Sequence, residues 1–150
     1  MSGSKVKMRR ILDEAFSKGD VDVLDELMTP DFVNHNAPPG MDTGVEGVKQ
    51  VIRVERTGFP DMNVEIIRDF EDGDFVIQHV LCTGTHTGVA FGVPPTGRSV
   101  SWNEIHVAHV RDGRVCEHWA CNDLHSVLMQ IGKIEPPDVS AFIRQPVSEG

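Results

Sequence analysis

The feature that most restricts the fold is a pair of strand-length segments, residues 99–110 and Arg114–Asn122, on either side of Arg111-Asp112-Gly113. Glycine at the third loop position suits a type I turn closed by a left-handed bulge, so the two segments form an antiparallel hairpin. A three-residue loop places Val110 opposite Arg114, which sets His106 opposite His118 and Glu104 opposite Ala120. One face then carries Val100, Trp102, Glu104, His106 and Ala108 beside Cys116, His118, Ala120 and Asn122. The other carries Asn103, Ile105, Val107 and His109 beside Val115, Glu117, Trp119 and Cys121. Both faces mix apolar and ionisable side chains, so each is expected to be covered by something.

The hairpin extends upstream. Met62, Val64, Ile66, Arg68 and Phe70 alternate with polar neighbours, and Glu71-Asp72-Gly73-Asp74 turns the chain into a β-rich run, Phe75–Thr85. The first part of the chain is helical instead. Met8, Ile11, Leu12, Ala15 and Phe16 recur at helical spacing over residues 5–17. Asp20 is expected to cap a second short helix, whose Val21, Leu24, Leu27 and Met28 form one face before Thr29-Pro30. A brief strand over residues 32–36 leads into a loop, a third helix spans 45–56, and a last one, capped by Asp123, spans 124–131. These elements predict one α+β domain over residues 1–132: helices packed on a curved antiparallel sheet, with a partly apolar pocket between them. Residues 133–150 form a Pro-containing tail.

Charge narrows the partners. Fourteen Lys and Arg against 23 Asp and Glu give a net charge of −9, which repels nucleic acid and anionic membrane surfaces. A small molecule or a protein is the better partner. No apolar run approaches the roughly 20 residues that span a bilayer, and residues 1–5 lack the apolar core of a signal peptide, so a cytoplasmic location is expected. Three cysteines without C-x-x-C spacing indicate neither a disulfide framework nor a zinc knuckle. Motifs for nucleotides, serine hydrolases and zinc proteases are missing, and with no tyrosine an oxyanion hole built on a phenol cannot form.

The densest polar constellation is His106, His118 and Glu104, bordered by Trp102 and Ala120. A histidine beside a carboxylate among apolar groups is a workable general acid/base. The same group can equally be a hydrogen-bonded core pair or lie at a subunit interface, and a metal site of two imidazoles and one carboxylate is a third alternative. Asn34 and His35 lie where the helical layer meets the sheet and are placed at the pocket mouth. His79 is placed in the pocket from its strand, Phe59 and Trp102 are assigned to its lining, and His86 is expected to brace its loop.

Several segments taken in order resemble one family. They are Asp31-Phe32-Val33-Asn34-His35, Gly84-Thr85-His86-Thr87-Gly88, Gly92-Val93-Pro94-Pro95-Thr96-Gly97, Ile105-His106-Val107, Asp112-Gly113-Arg114-Val115 with Glu117-His118-Trp119, and Leu128-Met129-Gln130-Ile131-Gly132. Together they look like the SnoaL-like polyketide cyclases, within the nuclear transport factor 2-like superfamily. The resemblance implies a cone-shaped fold, a homodimer, and a cofactor-free intramolecular aldol closure of a polyketide ester, with a His and an Asp on the last hairpin handling protons. The His position, seven residues before Gly113, is His106; the Asp position, seven residues after it, is Ala120. Glu104 is therefore expected to supply the carboxylate, with His106 as the principal acid/base and His118 as its partner. Cyclisation, isomerisation and hydration of an apolar carbonyl compound all suit such a pocket. The rival expectation is a non-catalytic ligand-binding or dimerisation module that lost its chemistry at Ala120.

Overall fold

The computed structural model describes residues 3–140, and in it the hairpin is the centre of a five-stranded sheet ordered β1-β5-β4-β3-β2. The strands are β1 (Met28–Asn34), β2 (Asn63–Asp72), β3 (Phe75–Thr85), β4 (Ser99–Arg111) and β5 (Arg114–Asn122). The helices are α1 (Gly3–Arg10), α2 (Val23–Leu27), α3 (Val45–Gly58) and α4 (Leu124–Gln130). The expected α+β architecture is present, with the sheet curved around the N-terminal helices. All neighbouring strands are antiparallel except the edge strand β1, which runs parallel to β5.

That edge strand begins earlier than expected, at Met28. Pro30 is tolerated there because an edge strand leaves one row of amides without a ladder partner. The helix before it is also capped differently: Asp22, not Asp20, is the N-cap residue, and it makes no side-chain cap bond. Asp20 is occupied in closing the preceding element. After α1 the chain widens into a π-helical segment, Ile11–Ser17, where Lys18 N–H reaches back to the Asp13 carbonyl and Asp20 N–H to that of Glu14.

The hairpin register departs from the expectation by two residues. The loop is only Asp112-Gly113, both at positive φ (50° and 73°), as a primed two-residue turn requires. Arg111 therefore pairs with Arg114 and Val110 with Val115, and the extra residue is taken up in the strand as a bulge at Cys116. Beyond the bulge His109 faces Glu117, His106 faces Ala120 and Glu104 faces Asn122. Two slips of one residue cancel in parity, so beyond the bulge each side chain stays on the face assigned to it, whereas Val115, before the bulge, turns from the expected outer face to the inner one beside Val110. A second bulge, at Ile67, breaks the alternation expected for β2: beyond it Asp69 turns inward to accept from Arg9 Nε at 2.9 Å, and Phe70 turns outward.

The inward stripes of the helices fill the concave side of the sheet. Met8, Ile11, Leu12 and Ala15 are buried, as are Leu24 and Leu27 of α2 and Val48 and Ile52 of α3. Each large apolar side chain removed from water in this way contributes about 1.5–3 kcal/mol. The Gly84 to Gly88 segment packs directly on the end of α3. A Cβ at Gly88 would meet the Thr57 carbonyl oxygen at 1.8 Å, and one at Gly84 would meet Phe59 Cβ at 2.9 Å, so glycine is what lets this loop press Phe59 inward. His86 braces the same loop, with Nδ1 2.9 Å from Thr96 Oγ1 and its backbone bonded to Arg98 and Gly97. Asp123 caps α4 as expected, its side chain accepting from Ser126 N–H. Past α4, Lys133 N–H bonds the Leu128 carbonyl and residues 135–140 are exposed; residues 141–150 of the expected tail lie outside the described residues.

Candidate active site

Between the helices and the concave face lies a cavity of about 690 Å³. Its walls are mainly apolar, from Ile11 and Leu12 of the π-helical segment, Val51 and Phe59 of the α3 region, Trp102 of β4 and Val127 of α4. The inward face of β4 and β5 adds Glu104, His106, His118 and Asn122, and the end of β1 adds Asn34 and His35. Of the expected site residues, seven are therefore on one cavity: His106, Glu104, His118, Asn34, His35, Phe59 and Trp102. His79 is not. It faces outward from β3, with Nε2 2.8 Å from Asn103 Oδ1 on the same face, because its odd position in β3 puts it opposite Ile105 on the solvent side. His35 lines the rim only, its ring stacked on Trp119 with centroids 4.6 Å apart and Nε2 3.2 Å from Glu117 Oε1.

The polar wall is a relay. Glu104 Oε2 lies 2.9 Å from His106 Nε2, His106 Nδ1 lies 2.9 Å from His118 Nε2, and His118 Nδ1 lies 2.9 Å from Asn34 Oδ1. The two rings contact across the strands on the diagonal, which is why they meet although neither is opposite the other. At the far end Glu104 Oε1 accepts from Trp102 Nε1 at 2.7 Å and from Asn122 Nδ2 at 3.0 Å, and Asn36 Nδ2 donates in turn to Asn122 Oδ1 at 2.9 Å.

Donor and acceptor roles follow from one fixed point. The backbone N–H of Asn36 donates to Asn34 Oδ1 at 3.0 Å, which fixes the orientation of the Asn34 amide. His118 must then carry its proton on Nδ1 to donate to that oxygen, so its Nε2 accepts, and His106 Nδ1 must be an N–H. That leaves the junction between Glu104 Oε2 and His106 Nε2 as the position of the relay still able to receive a proton. The two atoms are close but do not meet hydrogen-bond geometry, so the contact is an electrostatic approach that leaves His106 Nε2 without a hydrogen-bond partner.

The surroundings favour the ionised form of the carboxylate at that junction. Burial alone would raise the Glu104 carboxyl, but the contact with His106 and the donors Trp102 and Asn122 outweigh it and hold the group below the usual range. His118 is pushed down to about 3, first by burial and then by the neighbouring His106, so it stays neutral. A metal would need nitrogens that are already engaged: both of His118 and Nδ1 of His106 are spent within the relay. Among the described residues the close group of mixed donors is elsewhere, His109, Cys116 and Glu117 near the outer face.

Sequence reasoning missed Glu55. It sits on α3 across the cavity from the relay, and its carboxyl is pushed up to about 8, by burial first and then by the charge of Glu104. A signal was present: Val48, Ile52 and Glu55 follow helical spacing, so a carboxylate occupies the apolar stripe. Asn122, which holds Glu104, and Asn36, which holds Asn122, were also missed, the first because its role depends on the true register.

Comparison with known proteins bears on the same segment. The family model for the SnoaL-like polyketide cyclases matches residues 6–131. The nogalonic acid methyl ester cyclase of Streptomyces nogalater is 31% identical over 126 residues, covering 83% of this chain and 94% of that protein. The aklanonic acid methyl ester cyclase AcmA of Streptomyces galilaeus is 28% identical, covering 91% and 95%. Among solved structures, IdmH of Streptomyces antibioticus has 35% identity and a TM-score of 0.76, covering 86% of this chain and 98% of its own. TsrD of Streptomyces laurentii has 26% identity and a TM-score of 0.79, covering 88% and 96%.

Proposed function

We propose, from the premise that the chain belongs to the SnoaL-like polyketide cyclase family, that it closes a ring in a polyketide ester by an intramolecular aldol reaction without a cofactor. The observation that carries this reading is the relay Glu104–His106–His118–Asn34 on the wall of an otherwise apolar cavity. An aldol closure moves one proton off carbon and one onto oxygen and gains or loses nothing else, so an acid/base unit and a shaped pocket are sufficient.

In this reading the Glu104–His106 pair takes up the proton from the carbon between two carbonyl groups. The proton enters at the junction of the two side chains, at His106 Nε2 beside Glu104 Oε2. Trp102 and Asn122 fix the carboxylate, while neutral His118, anchored by Asn34, fixes the His106 ring. Ala120 lies directly opposite His106, so Glu104 brings to the ring a carboxylate from its own strand. Phe59 and Trp102, whose rings are 5.6 Å apart, form an aromatic wall suited to a flat conjugated chain.

The assembly proposed with this function is a homodimer through the outer face of the sheet. Phe75, Ile77, Ile105 and Trp119 are all 36–41% exposed there, an apolar patch that a second copy would cover. Sedimentation velocity reporting a monomer at micromolar concentration would overturn this. A cytoplasmic location goes with it, and among the described residues no helix is long and apolar enough to cross a membrane.

The test of the function is incubation with nogalonic acid methyl ester, the substrate in the name of the Streptomyces nogalater relative. The expected result is an isomer of unchanged mass with one more ring. Tight binding of the ester with no isomer formed would replace the enzyme reading with that of a binding module.

A further inference from the structure

The cavity holds a second carboxyl group that the relay does not use. Glu55 projects from α3 into the same space as Glu104, and no hydrogen bond or ion pair engages its carboxyl among the described residues. The side chain is half-buried and lines the cavity wall. The neighbouring cations are committed elsewhere. Arg56, next in sequence, donates to the carbonyls of Phe16, Ser17 and Pro60, and Lys49 is paired with Asp25 and Glu46. An ionised carboxylate without a counter-ion in an apolar enclosure is costly, so this position holds a neutral acid.

The groups facing Glu55 point the same way. Across the cavity are Glu104 and His106 of β4 and His118 of β5, and from β3 the buried thiol of Cys82. Glu104 already holds the negative charge that His106, Trp102 and Asn122 stabilise, and a second one in the same space is opposed by it. Two carboxyl groups in one pocket are thereby driven apart, one ionised and one protonated, and this is the arrangement that separates a base from an acid. The shift of Glu55 to about 8 agrees with it.

We propose that Glu55 is a further catalytic residue, the neutral carboxylic acid that hydrogen-bonds the carbonyl oxygen attacked in the ring closure and gives it its proton. The proposal rests on the cyclase reading above. In the step, the carbon deprotonated by the Glu104–His106 pair forms the new C–C bond to the second carbonyl carbon. The C=O π pair moves to oxygen, and that oxygen takes the Glu55 proton to become a hydroxyl. Glu55 is left as a carboxylate and recovers a proton, equal to the one gained by the Glu104–His106 pair, before the next turnover. The two walls thus have opposite tasks, proton removal on the sheet and proton delivery on the helix. Position matches task, since α3 and β4 face each other across the width of the cavity.

The experiment compares wild type with Glu55→Gln, Glu55→Leu and Glu104→Gln, using nogalonic acid methyl ester for turnover and infrared difference spectroscopy for protonation. The C=O stretch of a protonated carboxylic acid is expected in wild type at pH 7, lost in Glu55→Gln and retained in Glu104→Gln. Turnover should fall about 10–100-fold in Glu55→Gln with KM changed less than threefold. In wild type kcat should decline as pH rises through about 8, where the Glu55 proton is lost, and that limb should vanish in Glu55→Gln. Glu55→Leu should be at least as heat-stable as wild type while equally slow, which a structural glutamate would not allow. The proposal is overturned if the infrared band is missing from wild type, or if Glu55→Gln keeps wild-type kcat and its alkaline limb while Glu104→Gln does not. If both variants turn over the ester like wild type, it is the acid/base reading of the whole cavity that fails.

Discussion

Two histidine–glutamate pairs lie back to back on the last hairpin, and each has the same N···O separation of 2.9 Å: His106 with Glu104 inside, His109 with Glu117 outside. Inside, the side chains are 6% and 9% exposed; outside, 29% and 37%. The outer pair also has company, since His35 approaches the other oxygen of Glu117 at 3.2 Å and Phe75 stacks on His109 with centroids 4.7 Å apart. Distance and residue type therefore do not distinguish a reactive centre from a surface cluster. Burial does: it removes water as the alternative partner, so each inner donor or acceptor must be matched by another, and protonation states become fixed along the whole chain from Glu104 to Asn34.

The largest expected difference between the two pairs is in turnover. Glu104→Gln or His106→Gln should slow ring closure about 100-fold or more, whereas His109→Gln should stay within about twofold of wild type. Equal losses on both faces would break the comparison, because burial would then not be what selects the working pair.

A smaller effect is expected in acid. His118 is held neutral down to about 3, whereas an unfolded chain protonates it near its ordinary value of 6.5. The unfolded state thus binds more protons between these limits, so stability is lost as pH falls through that window, by a few kcal/mol at most. His118→Asn, which keeps an acceptor beside His106, should flatten the dependence of Tm on pH between about 6 and 4. An unchanged slope would mean that His118 is not the buried neutral base that the relay requires.

How much of this could be read from the chain differs between the sheet and the site. The strands Phe75–Thr85 and Arg114–Asn122 were legible to the residue, because alternation and turn residues agree there. The pairing between strands was not, since Asp112-Gly113 can close a hairpin with or without its neighbour, and the bulge at Cys116 has no local sequence mark. The site survived this error because parity was conserved: His106, Glu104 and His118 stayed on one face. Asn122 was hidden by the same slip. Glu55 was hidden for another reason, since a carboxylate in an apolar helical stripe is ordinarily taken for the stripe's edge, and only the tertiary structure shows a cavity in front of it. His79, placed in the pocket from its strand, lies instead on the outer face of β3, and the sequence of that strand alone does not say which of its two faces meets the cavity.

The smallest effect concerns the outer pair alone. Contact with His109 and then His35 holds the Glu117 carboxyl below its ordinary range, so whatever stability it lends is present above the unfolded value and is lost as pH falls through the lowered one. Exposed pairs of this kind are weak and screened by salt. Glu117→Gln should therefore move Tm by about 2 °C or less at low ionic strength, and by less still in about 1 M NaCl. Glu104→Gln provides the contrast, because it leaves an imidazole facing an uncharged amide in a site that mobile ions do not enter, and its Tm change should be larger and indifferent to salt. A salt-insensitive Glu117 would mean that the outer face is covered in solution, and in that case the homodimer interface, rather than water, is what the outer pair sees.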